Sequence, residues 1–171
     1  MSKKILIVDD DLDMLNLSKK ILSNEGYSIK IVQDAGSIDA EKVLKDFNPD
    51  LLLLDIMMPA INGYDFCKKI KVTESGKDLK VIFLSGLKEK ADKLRAFSAG
   101  AAGYMTKPFK KQDLIKNINY FFSLQEKPAK KPESRSTIHT ANKKKKTFIE
   151  FISERFKVEP QALIDHLNKN G

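Results

Sequence analysis

Leu51, Leu52, Leu53 and Leu54 narrow the fold of this chain more than any other stretch. Four consecutive leucines between Asp50 and Asp55 are too few for a typical helix, and being apolar on both faces they suit a strand covered on both sides. Pro59, Asn62 and Gly63 then announce a loop, which puts Asp55 where a buried strand leaves its sheet. Standing alone, Asp55 reads as a polar residue closing a strand. The rest of the chain decides whether it is more.

The same arrangement recurs along the sequence. Residues 5–8 are apolar and lead into Asp9, Asp10 and Asp11, followed by the helical pattern Leu12, Leu15, Leu17, Ile21 and Leu22, which Gly26 closes as a left-handed cap. A second strand at 28–32 precedes a helix at 37–47, and the leucine strand precedes a helix at 64–72 and a polar turn around Gly76. Residues 81–84 form a fourth strand ending at Ser85 and Gly86, before a charged helix at 88–98. A short fifth strand at 102–105 leads to Thr106, Lys107 and Pro108, and a helix at 112–124 carries Leu114, Ile115, Ile118, Phe121 and Phe122. Strands alternating with helices in this way predict an α/β fold, a five-stranded parallel sheet with helices on both faces and right-handed crossovers. Ligands on such sheets bind beyond the carboxyl ends of the strands, where this pattern delivers Asp9, Asp10, Asp55, Ser85 and Lys107.

Three carboxylates crowded at one edge raise each other's pKa values and require a cation. Mg2+ suits them: it is hard, prefers oxygen, and takes one or two carboxylates, waters and a phosphate oxygen. Lys107 adds a fixed positive charge and Ser85 a hydroxyl donor. Such a set stabilises charge on a phosphoryl group during in-line transfer to a carboxylate, and Asp55, alone at its strand end, is the acceptor expected.

Length and charge limit the alternatives. The 171 residues, 42% of them hydrophobic, accommodate one ordinary domain and a small addition. No apolar run approaches the roughly 20 residues that span a bilayer, and no secretory signal is expected from the opening residues. Cys67 has no partner for an internal disulfide, and no Cys/His cluster has zinc spacing, so a reduced, cytoplasmic setting is expected. The formal net charge of +8 suggests nucleic acid until it is located. Residues 1–125 carry 20 Lys/Arg against 17 Asp/Glu, residues 126–146 carry 8 against 2, and residues 147–171 carry 3 against 4. The basicity belongs to a connector.

Four segments in order, each at the end of an expected strand, resemble the receiver domain of bacterial two-component response regulators. They are residues 5–10 with the paired Asp9 and Asp10, residues 51–59 around Asp55, residues 81–85 ending in Ser85, and residues 104–109 with Lys107 and Pro108; the likeness spans residues 1–124. The resemblance implies a flavodoxin-like fold with strand order 2-1-3-4-5 and phosphorylation of Asp55 by a histidine kinase or phosphotransfer protein. It implies that Asp10 and Asp55 bind Mg2+ directly, that Asp9 helps, often through water, and that the Met57 backbone carbonyl adds a ligand. Ser85 is implied to contact a phosphoryl oxygen, and Lys107 to pair with the acidic site next to a bond to Pro108 that is commonly cis in the family. Tyr104 takes the place of the aromatic switch, turning inward as the Ser85 hydroxyl moves.

On this reading phosphorylation biases a two-state equilibrium and reshapes the face of helix 4, strand 5 and helix 5, controlling partner binding or dimerisation. A phosphoacceptor signalling protein is implied rather than an enzyme, with slow self-dephosphorylation. A catalytic phosphatase would want a second carboxylate where Met57 stands, and Gly86 beside Ser85 leaves the phosphoryl group accessible. Ala102 and Gly103 depart from the acidic or polar residues often found before Tyr104. Asp11 and Asp13 read as helix-start charges, and Cys67 as a packed helix residue.

Residues 125–146 contain Pro128, Pro132 and many polar residues and read as a flexible basic linker, in which Lys143, Lys144, Lys145 and Lys146 are candidates for phosphate or nucleic-acid contacts. Residues 147–171 read as a helical hairpin carrying Phe148, Phe151, Phe156, Leu163 and Leu167. From Phe151 to Leu167 the pattern resembles the two-helix core of a helix-turn-helix, but the second helix offers Gln161, Asp165, His166 and Asn168 with only Lys169 basic. Three outputs stay open: a docking or self-dimerising hairpin, a DNA-binding transcriptional regulator using hairpin and lysine run, and a phosphorylation-independent scaffold.

Overall fold

Ten elements build a computed structural model that describes residues 2–87, 89–126, 159 and 161. They are β1 (Lys4–Val8), α1 (Leu12–Asn24), β2 (Ser28–Val32), α2 (Ala40–Phe47), β3 (Leu51–Asp55), α3 (Gly63–Lys71), β4 (Lys80–Ser85), α4 (Lys90–Ser98), β5 (Gly103–Thr106) and α5 (Lys111–Glu126). Apart from positions 125, 126, 159 and 161, the expected linker with its four lysines 143–146 and the expected hairpin at 147–171 lie outside the described residues.

The five strands form one sheet in the order β2-β1-β3-β4-β5, every neighbouring pair parallel. This is the flavodoxin-like α/β arrangement expected. Its centre is made by the continuous apolar runs: Ile5, Leu6, Ile7 and Val8 of β1 and Leu51, Leu52, Leu53 and Leu54 of β3 are each no more than 1% exposed. A strand with no polar face needs cover on both sides, and each buried leucine contributes about 2 kcal/mol of transfer free energy. Residues 1–116 form one compact unit, which contains all the strands.

Short polar side chains decide where the helices start. Asp11 caps α1 by accepting from the amides of Asp13 (2.9 Å) and Met14 (3.1 Å), which bears out its reading as a helix-start residue. Helix α2 begins at Ala40, later than the expected residue 37. Asp34 accepts from the Gly36 amide (2.9 Å) and the Ser37 hydroxyl donates to the Asp34 carbonyl (3.2 Å), so this segment closes a turn before Asp39 caps the helix through the Lys42 amide (3.1 Å). Asn62 caps α3 through the Tyr64 amide (2.9 Å). Helix α4 starts at Lys90 rather than residue 88, and its cap residue Glu89 makes no side-chain capping bond. Gly26 has the expected left-handed φ of 87°, whereas Asn48 ends α2 in the same region (φ 48°) without having been singled out.

No described helix is long and apolar enough to cross a membrane. Among the described residues, one buried side-chain polar atom lacks a partner, the Oγ of Ser18, which lies fully buried in α1. An unsatisfied buried hydroxyl costs on the order of 1–3 kcal/mol. Ser18→Ala should therefore raise stability by about 1 kcal/mol, measured as a higher urea midpoint at unchanged slope; a lowered midpoint would show that the hydroxyl has a partner in solution.

Candidate functional site

Strand register assembles the site. Val8 pairs with Leu54, so Asp9, the residue after β1, and Asp55, the last of β3, emerge side by side. Asp55 pairs with Leu84 and Ser85 with Thr106, which carries the row across β4 to the end of β5. The Lys107 amide donates to the Ser85 carbonyl (2.7 Å), the Lys107–Pro108 bond is cis, and the lysine side chain reaches back over the row. Its ammonium donates to Asp9 Oδ2 at 2.5 Å and to Asp55 Oδ1 at 2.7 Å. The second oxygen of each carboxylate accepts a backbone amide, that of Asp11 for Asp9 (3.1 Å) and that of Met57 for Asp55 (2.7 Å).

Gly63 makes this end of β3 possible. A Cβ there would lie 2.1 Å from the Asp55 carbonyl oxygen and 2.8 Å from the Ile56 Cα, both backbone atoms, while the Gly63 amide donates to the Ile56 carbonyl (2.9 Å). Helix α3 starts against the strand end only because this residue has no side chain.

The electrostatics are those of a buried, incompletely neutralised acid cluster. Asp9 is 1% exposed and Asp55 4%, and Asp10 stands exposed beside them. Carboxylate oxygens of the three lie within 4.8 Å of one another. Burial raises the pKa of Asp9, against the pull of Lys107 and with the charge of Asp55 adding to the rise. For Lys107 burial alone would lower the value, but its bonds to Asp55 and Asp9 outweigh burial and raise it, so the ammonium stays charged. The Lys107 ammonium pairs with two of the three carboxylates. A hard divalent cation fits that donor set.

Ser85, fully buried, accepts the Leu87 amide on its Oγ (3.1 Å), and Tyr104, 5% exposed, donates its hydroxyl to the Leu87 carbonyl (2.8 Å). Burial raises the Tyr104 pKa, a rise the Ser85 hydroxyl partly offsets, so the phenol remains a donor. Both backbone groups of Leu87 are thus held by the two residues expected to act as the switch. The sequence did not single out Leu87 and marked Gly63 only as a loop residue, because one acts through its backbone and the other through its lack of a side chain. Beyond Asp10, the loops after β2 and β3 enclose a pocket of about 370 Å³ lined by Gln33, Asp34, Gly36, Met58, Pro59 and Ile61 among others. Cys67 is apart from this chemistry: it is buried, donates to the Ala99 carbonyl (3.1 Å), and its pKa is pushed by burial up to about 11.

A family model described as the response regulator receiver domain matches residues 5–119. The DNA-binding dual master transcriptional regulator RpaA of Synechocystis is 31% identical over 115 residues, which are 67% of this chain and 47% of that protein. The response regulator MprA of Mycobacterium tuberculosis is 33% identical over 115 residues, 67% and 48% of the respective lengths. A solved CheY-like receiver domain protein from Methanospirillum hungatei is 32% identical with a TM-score of 0.67, covering 75% of this chain and all of that one. The chain spans about half the length of the curated relatives it matches.

Removing one partner of a buried ion pair leaves uncompensated charge and costs about 3–5 kcal/mol. Lys107→Met should lower unfolding stability by about 3 kcal/mol at neutral pH in the presence of a chelator, and millimolar Mg2+ should recover much of the loss. A chemical denaturation series with and without the ion measures both effects.

Proposed function

The chain belongs to the response regulator receiver family, and from that premise we propose that Asp55 accepts a phosphoryl group from a phosphohistidine of a histidine kinase or phosphotransfer protein. The observation that carries this reading is the Lys107 ammonium held between Asp9 and Asp55 inside a cluster of three carboxylates. In the transfer a carboxylate oxygen of Asp55 attacks phosphorus, the P–N bond to the donor imidazole breaks as the O–P bond forms, and the leaving nitrogen regains a proton from water. Asp10, Asp55, Asp9 and the Met57 carbonyl would hold Mg2+, which when bound supplies positive charge to the phosphoryl oxygens. Lys107 adds its own charge from the side of β5, and Ser85, whose Oγ already accepts from Leu87, retains its O–H proton for a phosphoryl oxygen.

The same contacts convert occupancy into shape. A Ser85 side chain drawn toward a phosphoryl group draws the Leu87 amide, which donates to its Oγ, along with it, while Tyr104 keeps the Leu87 carbonyl. The strain falls on the segment that enters α4, so the face of α4, β5 and α5 is the surface that changes for a partner or a second copy of the chain. Slow self-dephosphorylation completes the cycle, in a cytoplasmic protein whose donor is a cytoplasmic kinase domain.

For the tail, a docking or self-dimerising element is favoured by its charge balance of 3 Lys/Arg against 4 Asp/Glu in residues 147–171. DNA binding through the hairpin and Lys143–146 is the second reading; it rests on the helix-turn-helix-like pattern from Phe151 to Leu167 and the lysine run, and the Synechocystis relative is named as DNA-binding. Deleting residues 147–171 should abolish sequence-specific DNA retention if that second reading holds, and no specific retention by the full chain at low salt removes it.

A small phosphodonor with Mg2+ should label the chain, and Asp55→Asn should abolish the label; a variant that still labels would refute the assignment. The metal effect has a defined pH sense. Asp9 binds its proton more tightly in the folded chain than in the unfolded one, so for this group the metal-free fold gains as pH falls, while a cation that needs Asp9 ionised loses ground. The Mg2+-induced rise in Tm should be greatest near neutral pH and shrink on acidification. A rise independent of pH would exclude Asp9 from the metal site.

A further inference from the structure

Helix α4 is poorly secured where it begins. Its cap residue Glu89 makes no side-chain bond, and its buried residues, Ala96 and Phe97, sit in the last turn, the first turn having none among its described side chains. Two phenols make up the difference. Tyr104 donates to the Leu87 carbonyl before the cap (2.8 Å), and Tyr64, from the first turn of α3, donates to the Asp92 carbonyl within the first turn of α4 (3.1 Å). The Tyr64 ring is itself fixed, edge-on against Phe83 of β4 at 5.3 Å between centroids and 60° between planes. Phe83 lies two residues before Ser85 on the same strand. Tyr64 therefore ties the start of α4 to the strand that carries the switch hydroxyl.

We propose that Tyr64 is a positioning residue that holds the first turn of α4 in place and so opposes phosphoryl binding at Asp55. This rests on the phosphoacceptor reading of Asp55. Drawing Ser85 toward a phosphoryl group pulls on Leu87, and through residues 87–92 the pull meets the bond that Tyr64 makes to Asp92. That bond must lengthen or break for α4 to follow. Tyr104 moves with the segment it holds, whereas Tyr64 is anchored outside it, which makes Tyr64 the brake and Tyr104 the follower. Burial raises the Tyr64 pKa, so the phenol keeps its donor proton throughout the range in which the protein is handled.

The test uses the full chain and Tyr64→Phe, which keeps the ring against Phe83 and removes only the hydroxyl. Binding of beryllofluoride with Mg2+, a phosphoryl mimic, is followed by amide NMR shifts in the wild type, Tyr64→Phe and Asp55→Asn. A net hydrogen bond of ordinary strength corresponds to a change of about three- to tenfold. Tyr64→Phe should lower the half-saturating concentration by about that factor and speed hydrogen exchange at residues 89–93. Faster exchange with unchanged or weaker mimic binding would show a merely structural contact and overturn the proposal. Absence of Asp55-dependent binding in the wild type would overturn the phosphoacceptor reading, and this inference with it; normal binding that Tyr64→Phe does not tighten overturns this inference alone.

Discussion

A single ammonium between two buried carboxylates is the interaction on which the site depends. Lys107 arrives from beyond β5, Asp9 from β1 and Asp55 from β3, so the contact exists only if the sheet is in register across four strands. Charges this deeply buried are tolerable only when paired. Lys107 pairs with two of the three carboxylates, so with it in place acidic groups still outnumber the ammonium in the cluster. That excess of acidic groups is what suits the edge to a divalent ion and to a phosphoryl group, and it ties the stability of the fold to the ligand it would bind.

From that contact the consequences run outward through backbone atoms. Ser85 and Tyr104 meet at Leu87 and grip its amide and carbonyl in turn. The helix that follows is weakly capped and little buried at its start, properties of a segment that opens locally at low cost. On the opposite side Gly63 lets α3 begin against the end of β3, and the same helix carries Tyr64 toward α4. Asp55, its counter-charge Lys107 and the contacts that hold the start of α4 thus belong to one set of neighbouring elements.

Much of this was legible in the sequence, for physical reasons. Continuous apolar runs such as Leu51 to Leu54 are too short for a typical helix and suit a strand buried on both faces, which puts a polar residue directly after each run at the sheet's carboxyl edge. Hence the strand order, the acid cluster and Lys107 followed from spacing and resemblance together. Helix starts were less legible: α2 begins later than its apolar pattern because Asp34 and Asp39 compete for nearby amides, a choice between turn and helix that periodicity does not encode. The roles of Leu87, of the Tyr64 hydroxyl and of Gly63, read only as a loop residue, were not legible because they arise from a backbone group, a distant carbonyl and a missing atom. The hairpin read from Phe148, Phe151 and Leu163 lies outside the described residues and keeps its status as an expectation.

The central claim is that Asp55 is the residue whose chemistry the other strand ends serve. Its most direct test is to treat the full chain with a small phosphodonor and Mg2+, reduce any acyl phosphate with borohydride, and locate the modified residue by tandem mass spectrometry. The account predicts a single modified position, Asp55, formed only when the divalent ion is present. Modification at Asp9, Asp10, Ser85 or His166 in its place, or none at all, would contradict it.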